Sequence, residues 1–316
     1  MEMEEAGMDL PKGSESMGLL PKDADILPAT DDRIFRTILT SPEAKPFLMK
    51  LIAGLIGRGV VDVTIHGNEI GISDTQEKME RFDVNCKTAD GSQVNIEMQS
   101  RRMEEDRGGE HKNLKARSIY FLCDLHASQP GKGEKRFDRL VRTYQVTFCS
   151  YTIFPRRKGG YVNSFSMRHD VDNELLHDAI QTIIVELSKL EDILKKPVET
   201  MADLEKFSVF FEYAEKPAYR DIVNKVIESE EVLTVASNLL MNISQDENER
   251  AIFLRRKKAQ MDYASDIATA EDRGEKRKAF AIAREMLLDG EPVEKIMRYT
   301  GLTREEVEDL KKQLFQ

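Results

Sequence analysis

The stretch that most constrains the fold is FDVNCKTADGSQVNIEMQ, from Phe82 to Gln99. In its second half Val94, Ile96 and Met98 fall on one face of a strand, and Asn95, Glu97 and Gln99 on the other. The first half alternates in the same way, with Phe82, Val84 and Cys86 set against Asp83, Asn85 and Lys87. Asp90-Gly91 between them is a turn signal, so the segment reads as a β-hairpin. Parity then decides the register. A two-residue Asp90-Gly91 loop would bring Glu97 opposite Val84 and mix the faces. A three-residue loop, Ala89-Asp90-Gly91 with Gly91 in the left-handed conformation, pairs Asp83 with Glu97 and keeps apolar with apolar. The three-residue register is the one predicted.

The flanks read as helix before and as mixed elements after. Thr30-Asp31-Asp32 is an N-cap signal, with Asp32 as the capping residue, ahead of Ile34, Phe35, Ile38 and Leu39 at helical spacing. Ser41-Pro42-Glu43 opens a second helix with Phe47, Leu48, Leu51, Ile52, Leu55 and Ile56 on its apolar face, ending at Gly57-Arg58-Gly59. Val60 to His66 alternates as a strand. Lys112 to Ala127 returns to helix, with Leu114, Ile119, Leu122 and Leu125 as apolar positions. Arg142 to Phe154 is β-branched and aromatic and stops at Pro155, and Tyr161 to Met167 is a further strand. Val185-Glu186-Leu187 is the last core contribution expected; from Thr200 onward nearly everything reads as helix. Ile252 to Leu287 is a long, highly charged helix, either an extended surface helix or a coiled arm. At the end, a helix near Val293 to Tyr299, a turn at Thr300-Gly301 and a capping box at Thr303 to Glu306 form a helical hairpin. Such a pair is a helix-turn-helix or only an αα-hairpin. The expected organisation is a mobile tail at 1–28, an α/β domain at 29–195, and a helical region at 196–316.

Composition excludes several classes. The 316 residues are 40% hydrophobic and 33% charged, enough for a sizeable core. No apolar run approaches the ~18–20 residues that span a bilayer, and the acidic N-terminus does not read as a secretory signal. Three cysteines, Cys86, Cys123 and Cys149, are too few and too scattered for a disulfide framework or a zinc site. Cys123 and Cys149 are expected as packing residues. A soluble cytoplasmic protein with no membrane partner is expected. The net charge of −10 weighs against nucleic acid, but the segment Arg101 to Arg168 holds fifteen Lys/Arg against seven Asp/Glu. Local clustering matters more than the total for a polyanion, although a basic run can equally be a solvated face.

Two carboxylates paired across a hairpin have Cβ atoms roughly 4.5–5.5 Å apart and repel unless a proton or cation neutralises them. Taken alone, such a pair more often marks an exposed polar face with incidental acids. A hard divalent ion is the alternative: Mg²⁺ takes one or two carboxylates plus waters and phosphate oxygens.

The wider pattern resembles the Rpn-type recombination-promoting nucleases of the PD-(D/E)XK transposase family. The resemblance is carried by Asp32-Arg33-Ile34-Phe35-Arg36, by Phe82-Asp83-Val84 and Asp90-Gly91 leading into Ile96-Glu97-Met98-Gln99, and by Arg117-Ser118-Ile119-Tyr120. Tyr151-Thr152-Ile153-Phe154, Ser164 to Arg168, Glu186-Leu187-Ser188-Lys189 and Tyr299-Thr300-Gly301-Leu302 extend it over residues 30–316. It implies a PD-(D/E)XK restriction-endonuclease-like α/β core, a mixed sheet flanked by helices, followed by an all-helical C-terminal region. It further implies a metal-dependent DNA endonuclease in recombination or mobile-element processes, using Mg²⁺, with Mn²⁺ as a substitute, and metal-activated water. By that resemblance Asp83 and Glu97 are metal ligands together with the backbone carbonyl of Met98, and Gln99 stands where the wider superfamily has Lys. An amide orients a water but cannot serve as a base. The Pro that usually precedes the first acid is replaced by Phe82. Asp32 is a candidate outer acid, while Arg101, Arg102 and Arg117 are candidate phosphate contacts. A homodimer is a candidate assembly. Two rivals stand beside this reading: a nuclease-like domain that binds nucleic acid without cutting, and a protein-interaction module whose working surface is the helices after Thr200. No Walker A, Rossmann or nucleophile-elbow pattern is present, and the five histidines lack metal-ligand spacing.

Overall fold

The structure is a computed structural model that describes residues 18–66, 84–100, 112–129, 136–157 and 160–315. They gather in two compact units, Met1–Glu247 and Asn248–Gln316.

The first unit is built on a six-stranded sheet in the order β1-β2-β3-β4-β6-β5. Its strands are β1 (Val63–Ile65), β2 (Val84–Thr88), β3 (Gln93–Gln99), β4 (Thr143–Cys149), β5 (Val162–Phe165) and β6 (Ile180–Glu186). The β1, β2 and β3 ladders are antiparallel, β3, β4 and β6 run parallel, and β5 closes the far edge antiparallel to β6. This is a mixed sheet with flanking helices, as the resemblance implies. The β2–β3 hairpin has the predicted three-residue register, with Val84 opposite Ile96 and Cys86 opposite Val94. Its turn explains why. Gly91 takes φ +88°, and Asp90 Oδ1 accepts from the Ser92 amide at 3.0 Å and from the Thr88 hydroxyl at 2.5 Å.

Each face of the sheet has its own cover. On one, Ile96, Met98, Val146 and Phe148 meet α1 (Asp32–Thr40), α2 (Lys45–Ile56) and α4 (Asp203–Tyr213). Aromatic rings knit this layer: Phe35 lies 5.7 Å from Phe148 and 5.0 Å from Phe211, and Phe47 lies 4.9 Å from Phe207. The N-cap of α1 is Asp31, whose carboxylate accepts from the amides of Arg33 and Ile34; Asp32 is the first helical residue. The opposite face is covered by α3 (Lys112–Ala127), fastened by Ser118 near Thr147 and by His126 Nδ1 2.8 Å from Thr143 Oγ1.

Several expectations change. β4 stops at Cys149 instead of running to Phe154, and β6 is a full seven-residue strand where only Val185 to Leu187 had been expected to reach the core. Residues 18–28, expected in a mobile tail, are docked. Leu20, Ile26 and Leu27 are buried, the Leu20 amide donates to Asn224 Oδ1 at 2.9 Å, and the Leu27 amide donates to Ser244 Oγ at 3.0 Å. Residues 1–17 lie outside the described residues. The helices α4, α5 (Arg220–Glu228) and α6 (Glu231–Gln245) belong to the first unit. Ile119 is 59% exposed on α3, and Cys123 is exposed where a packing role was expected, whereas Cys86 and Cys149 are buried.

The long charged helix expected after Ile252 is α7 (Glu247–Leu288), 42 residues or ~63 Å at 1.5 Å per residue. In the second unit its end packs with α8 (Val293–Thr300) and α9 (Arg304–Phe315) around Ala283, Leu287, Ile296, Leu302 and Val307. Gly301 at φ +71° ends α8. The predicted capping box is formed: the Thr303 amide donates to Glu306 Oε2 at 2.9 Å and the Glu306 amide to Thr303 Oγ1 at 3.3 Å. No described helix is long and apolar enough to cross a membrane.

Candidate nuclease site

The parity that sets the hairpin register also sends Asn95, Glu97 and Gln99 to the α3 face. The parallel ladder extends this row, placing Gln145 and Thr182 beside Asn95, Thr147 and Ile184 beside Glu97, and Cys149 and Glu186 beside Gln99. On the other side Asn85 lies opposite Asn95. A polar band thus crosses the middle of the sheet beneath a helix, where apolar side chains are the usual filling.

Glu97 sits within it, 2% exposed. Asn95 Nδ2 donates to Glu97 Oε1 at 3.3 Å and to Gln145 Oε1 at 2.8 Å. An ionised carboxylate only accepts, so Glu97 forces the amide nitrogen of Asn95 toward itself, and Gln145 must then present its oxygen. Asn95 Oδ1 and Gln145 Nε2 are left without a partner among the described residues, which is costly in a buried position. Beside the carboxylate, Arg117 Nε stands 3.9 Å from Glu97 Oε2, beyond hydrogen-bond reach but close enough to act on its charge. The same guanidinium lies 5.0 Å over the Phe121 ring, which holds it along α3. Tyr120, 58% exposed, lies edge-on to the same Phe121 ring with centroids 5.6 Å apart.

The structure therefore brings Glu97 and Arg117 together beneath α3, with Gln99 two residues further along the same face of β3. The backbone carbonyl of Gln99 accepts from the Ser150 amide at 3.1 Å, which ties β3 to the end of β4. Asp32 opens α1, which packs on the opposite face of the sheet. Asp83, Arg101 and Arg102 lie outside the described residues. Among the described residues, the Glu97 carboxylate, the Met98 carbonyl and the Gln99 amide oxygen offer oxygen donors, a set that fits a hard divalent cation. Among the described residues no group of three or more His, Cys, Asp or Glu could hold a metal by itself.

Sequence reasoning missed a second buried carboxylate. Glu186, at the end of β6 on the Gln99 row, is fully buried. Its Oε1 accepts from the amides of Ile153 and Phe154 at 2.7 and 2.9 Å. Its Oε2 accepts from Asn163 Nδ2 at 2.8 Å and Lys189 Nζ at 2.7 Å. Burial pushes its pKa up, but the hydrogen bonds from Lys189 and the two amides outweigh that and hold it below the ordinary value. The Glu186-x-x-Lys189 spacing was the available signal. Cys149 beside it is raised by burial and by the carboxylates of Glu186 and Glu97, so its thiol stays protonated.

The family model described as PD-(D/E)XK nuclease family transposase matches residues 29–270. That described as Rpn/YhgA-like nuclease family, C-terminal HTH domain, matches residues 276–312, which span the end of α7, α8 and most of α9. No curated protein and no solved structure matches the chain.

Proposed function

Because the chain belongs to the PD-(D/E)XK nuclease family transposases, of the Rpn type, we propose that it is a Mg²⁺-dependent DNA endonuclease. The observation that carries this reading is the buried Glu97 carboxylate, oriented by Asn95 and faced by Arg117 on a sheet of that family.

Glu97, Asp83 and the Met98 carbonyl would hold the ion, with Mn²⁺ able to replace Mg²⁺. When bound, the ion supplies a Lewis acid toward a phosphate oxygen and lowers the pKa of an attacking water. The residues of the chain do the rest. Gln99 orients the water by hydrogen bonding and takes no proton from it. Arg117 offers its planar fork to a non-bridging phosphate oxygen, and Arg101 and Arg102, following directly on β3, are further phosphate contacts. Asp32 is a candidate outer acid. Asn95 keeps Glu97 in one orientation, so the carboxylate needs no rearrangement on binding. The family supports work in DNA recombination or mobile-element processes, and a homodimer would supply two sites for the two strands of a duplex.

The test is calorimetric titration of Mn²⁺ into EDTA-stripped protein. Wild type is expected to bind with an affinity that Glu97→Ala and Asp83→Ala each remove. Equal binding by all three proteins would move the site elsewhere.

A further inference from the structure

A second concentration of charge and rings lies on the α3 side of the sheet, beyond β4. Capture of the Ile153 and Phe154 amides by Glu186 bends the chain back after β4 and sets the Phe154 ring 5.4 Å from Phe165 of β5. Phe165 pairs with Thr182, so its ring projects from the same face as the polar row. Two cations crown the pair. Lys115 Nζ of α3 is 5.1 Å from the Phe154 centroid, and the Arg157 guanidinium is 5.7 Å from Phe154 and 5.5 Å from Phe165. Arg157 is aimed by Asn163, whose Oδ1 accepts from Nη1 at 3.1 Å; Asn163 in turn donates to Glu186. Phe165 remains 38% exposed, and Arg156 and Arg157 are exposed.

The Phe154 contact covers only part of the Phe165 ring, and charged residues on an edge strand usually serve to discourage pairing. Rings interleaved with cations are what an unpaired nucleic-acid strand requires: a π-face for a base and positive charge for the phosphates on either side. A paired duplex offers no free base face, and an acidic protein would use the cations and ignore the ring. The position suits delivery to the site. Three inter-strand spacings separate β3 from β5, ~14 Å at ~4.8 Å each, and the chain leading to Phe154 starts at Ser150, bonded to Gln99.

We propose that the Lys115–Phe154–Arg157–Phe165 surface holds an unpaired nucleic-acid strand, with a base stacked on Phe165 and the adjoining phosphates on Arg157 and Lys115. That the strand leads to a cleavage site rests on the nuclease reading; the binding itself does not. The experiment is fluorescence anisotropy of labelled oligo(dT) with the full chain in EDTA, over a series of salt concentrations. Phe165→Leu keeps the apolar packing and removes the ring face; it is expected to weaken binding about tenfold, with Phe165→Tyr restoring it to within about twofold. Arg157→Gln is expected to reduce the salt slope by ~0.7. Wild-type affinity in Phe165→Leu overturns the proposal, as does a loss that Phe165→Tyr fails to restore. Loss with Arg157→Gln alone also overturns it and points to an acidic protein partner. Plasmid nicking with Mg²⁺ separates the two claims: no nicking with the Phe165 effect intact sinks the nuclease reading alone, and nicking without the Phe165 effect sinks this surface alone.

Discussion

Replacing Glu186 removes an acceptor on which four donors converge inside the protein. In Glu186→Ala the Ile153 and Phe154 amides, Asn163 Nδ2 and the Lys189 ammonium lose their common partner, and Lys189 is only 17% exposed. Breaking a buried ion pair from one side costs ~3–5 kcal/mol, against a total stability of ~5–15 kcal/mol. Lys189 keeps a bond to the Phe154 carbonyl at 2.9 Å, which argues for the lower half of that range. In a unit of this size ~3–4 kcal/mol lowers the melting temperature by roughly 6–16 °C. Glu186→Gln should fall between, at ~2–3 kcal/mol, because its oxygen still serves the two amides while its NH₂ faces two donors. Adding Lys189→Met to Glu186→Ala should recover part of the loss, with a coupling of ~1–3 kcal/mol. The pKa of Glu186 lies below its ordinary 4.5 in the folded state. Its contribution is therefore complete above that value and is lost as pH falls through the lowered folded pKa. Thermal denaturation monitored by circular dichroism at pH 7 measures all three variants. A Glu186→Ala melt within about 2 °C of wild type would refute the reasoning.

Further outcomes follow from the same geometry. Asn95→Asp puts a like charge against the buried Glu97 in place of a 3.3 Å hydrogen bond, and should cost ~2–4 kcal/mol in urea unfolding in EDTA, a cost that added Mn²⁺ should reduce. Thr303→Ala removes half of the capping box of α9 and should lower the stability of the second unit by ~1 kcal/mol, read by amide exchange in residues 304–315. Burial raises the Cys86 thiol to about 12 and raises Cys149 as well, while Cys123 is exposed. A thiol reagent such as DTNB should therefore titrate one cysteine in the native protein and three in denaturant.

The hairpin was legible in the sequence because two independent signals, alternation and an Asp-Gly turn, admit one register. The capping box and the α2 C-terminus at Gly57 were legible for a similar reason: each is a local rule satisfied by neighbours in the chain. What escaped depends on distant partners. QTIIVE in β6 is a short apolar run that periodicity cannot separate from helix, and only its place between β4 and β5 makes it a strand. Leu20, Ile26 and Leu27 show no period. Their order comes from Asn224 and Ser244, about two hundred residues away in sequence. β4 ends early because Glu186 takes the amides of Ile153 and Phe154, a tertiary bond that no propensity anticipates. At the site, Glu97 could be read from the strand pattern. The Asn95–Gln145 amides that orient it could not, because Gln145 reaches them only through the parallel pairing of β3 with β4.

The central claim is that the hairpin carboxylates form the active site of a metal-dependent nuclease. Nicking of supercoiled plasmid tests it most directly, with wild type and Glu97→Ala side by side in Mg²⁺, Mn²⁺ and EDTA. The account predicts cutting by wild type with either ion, none with EDTA, and none by Glu97→Ala, which should still bind DNA. Equal cutting by the two proteins, or no cutting by wild type with either ion while both bind DNA, would contradict it.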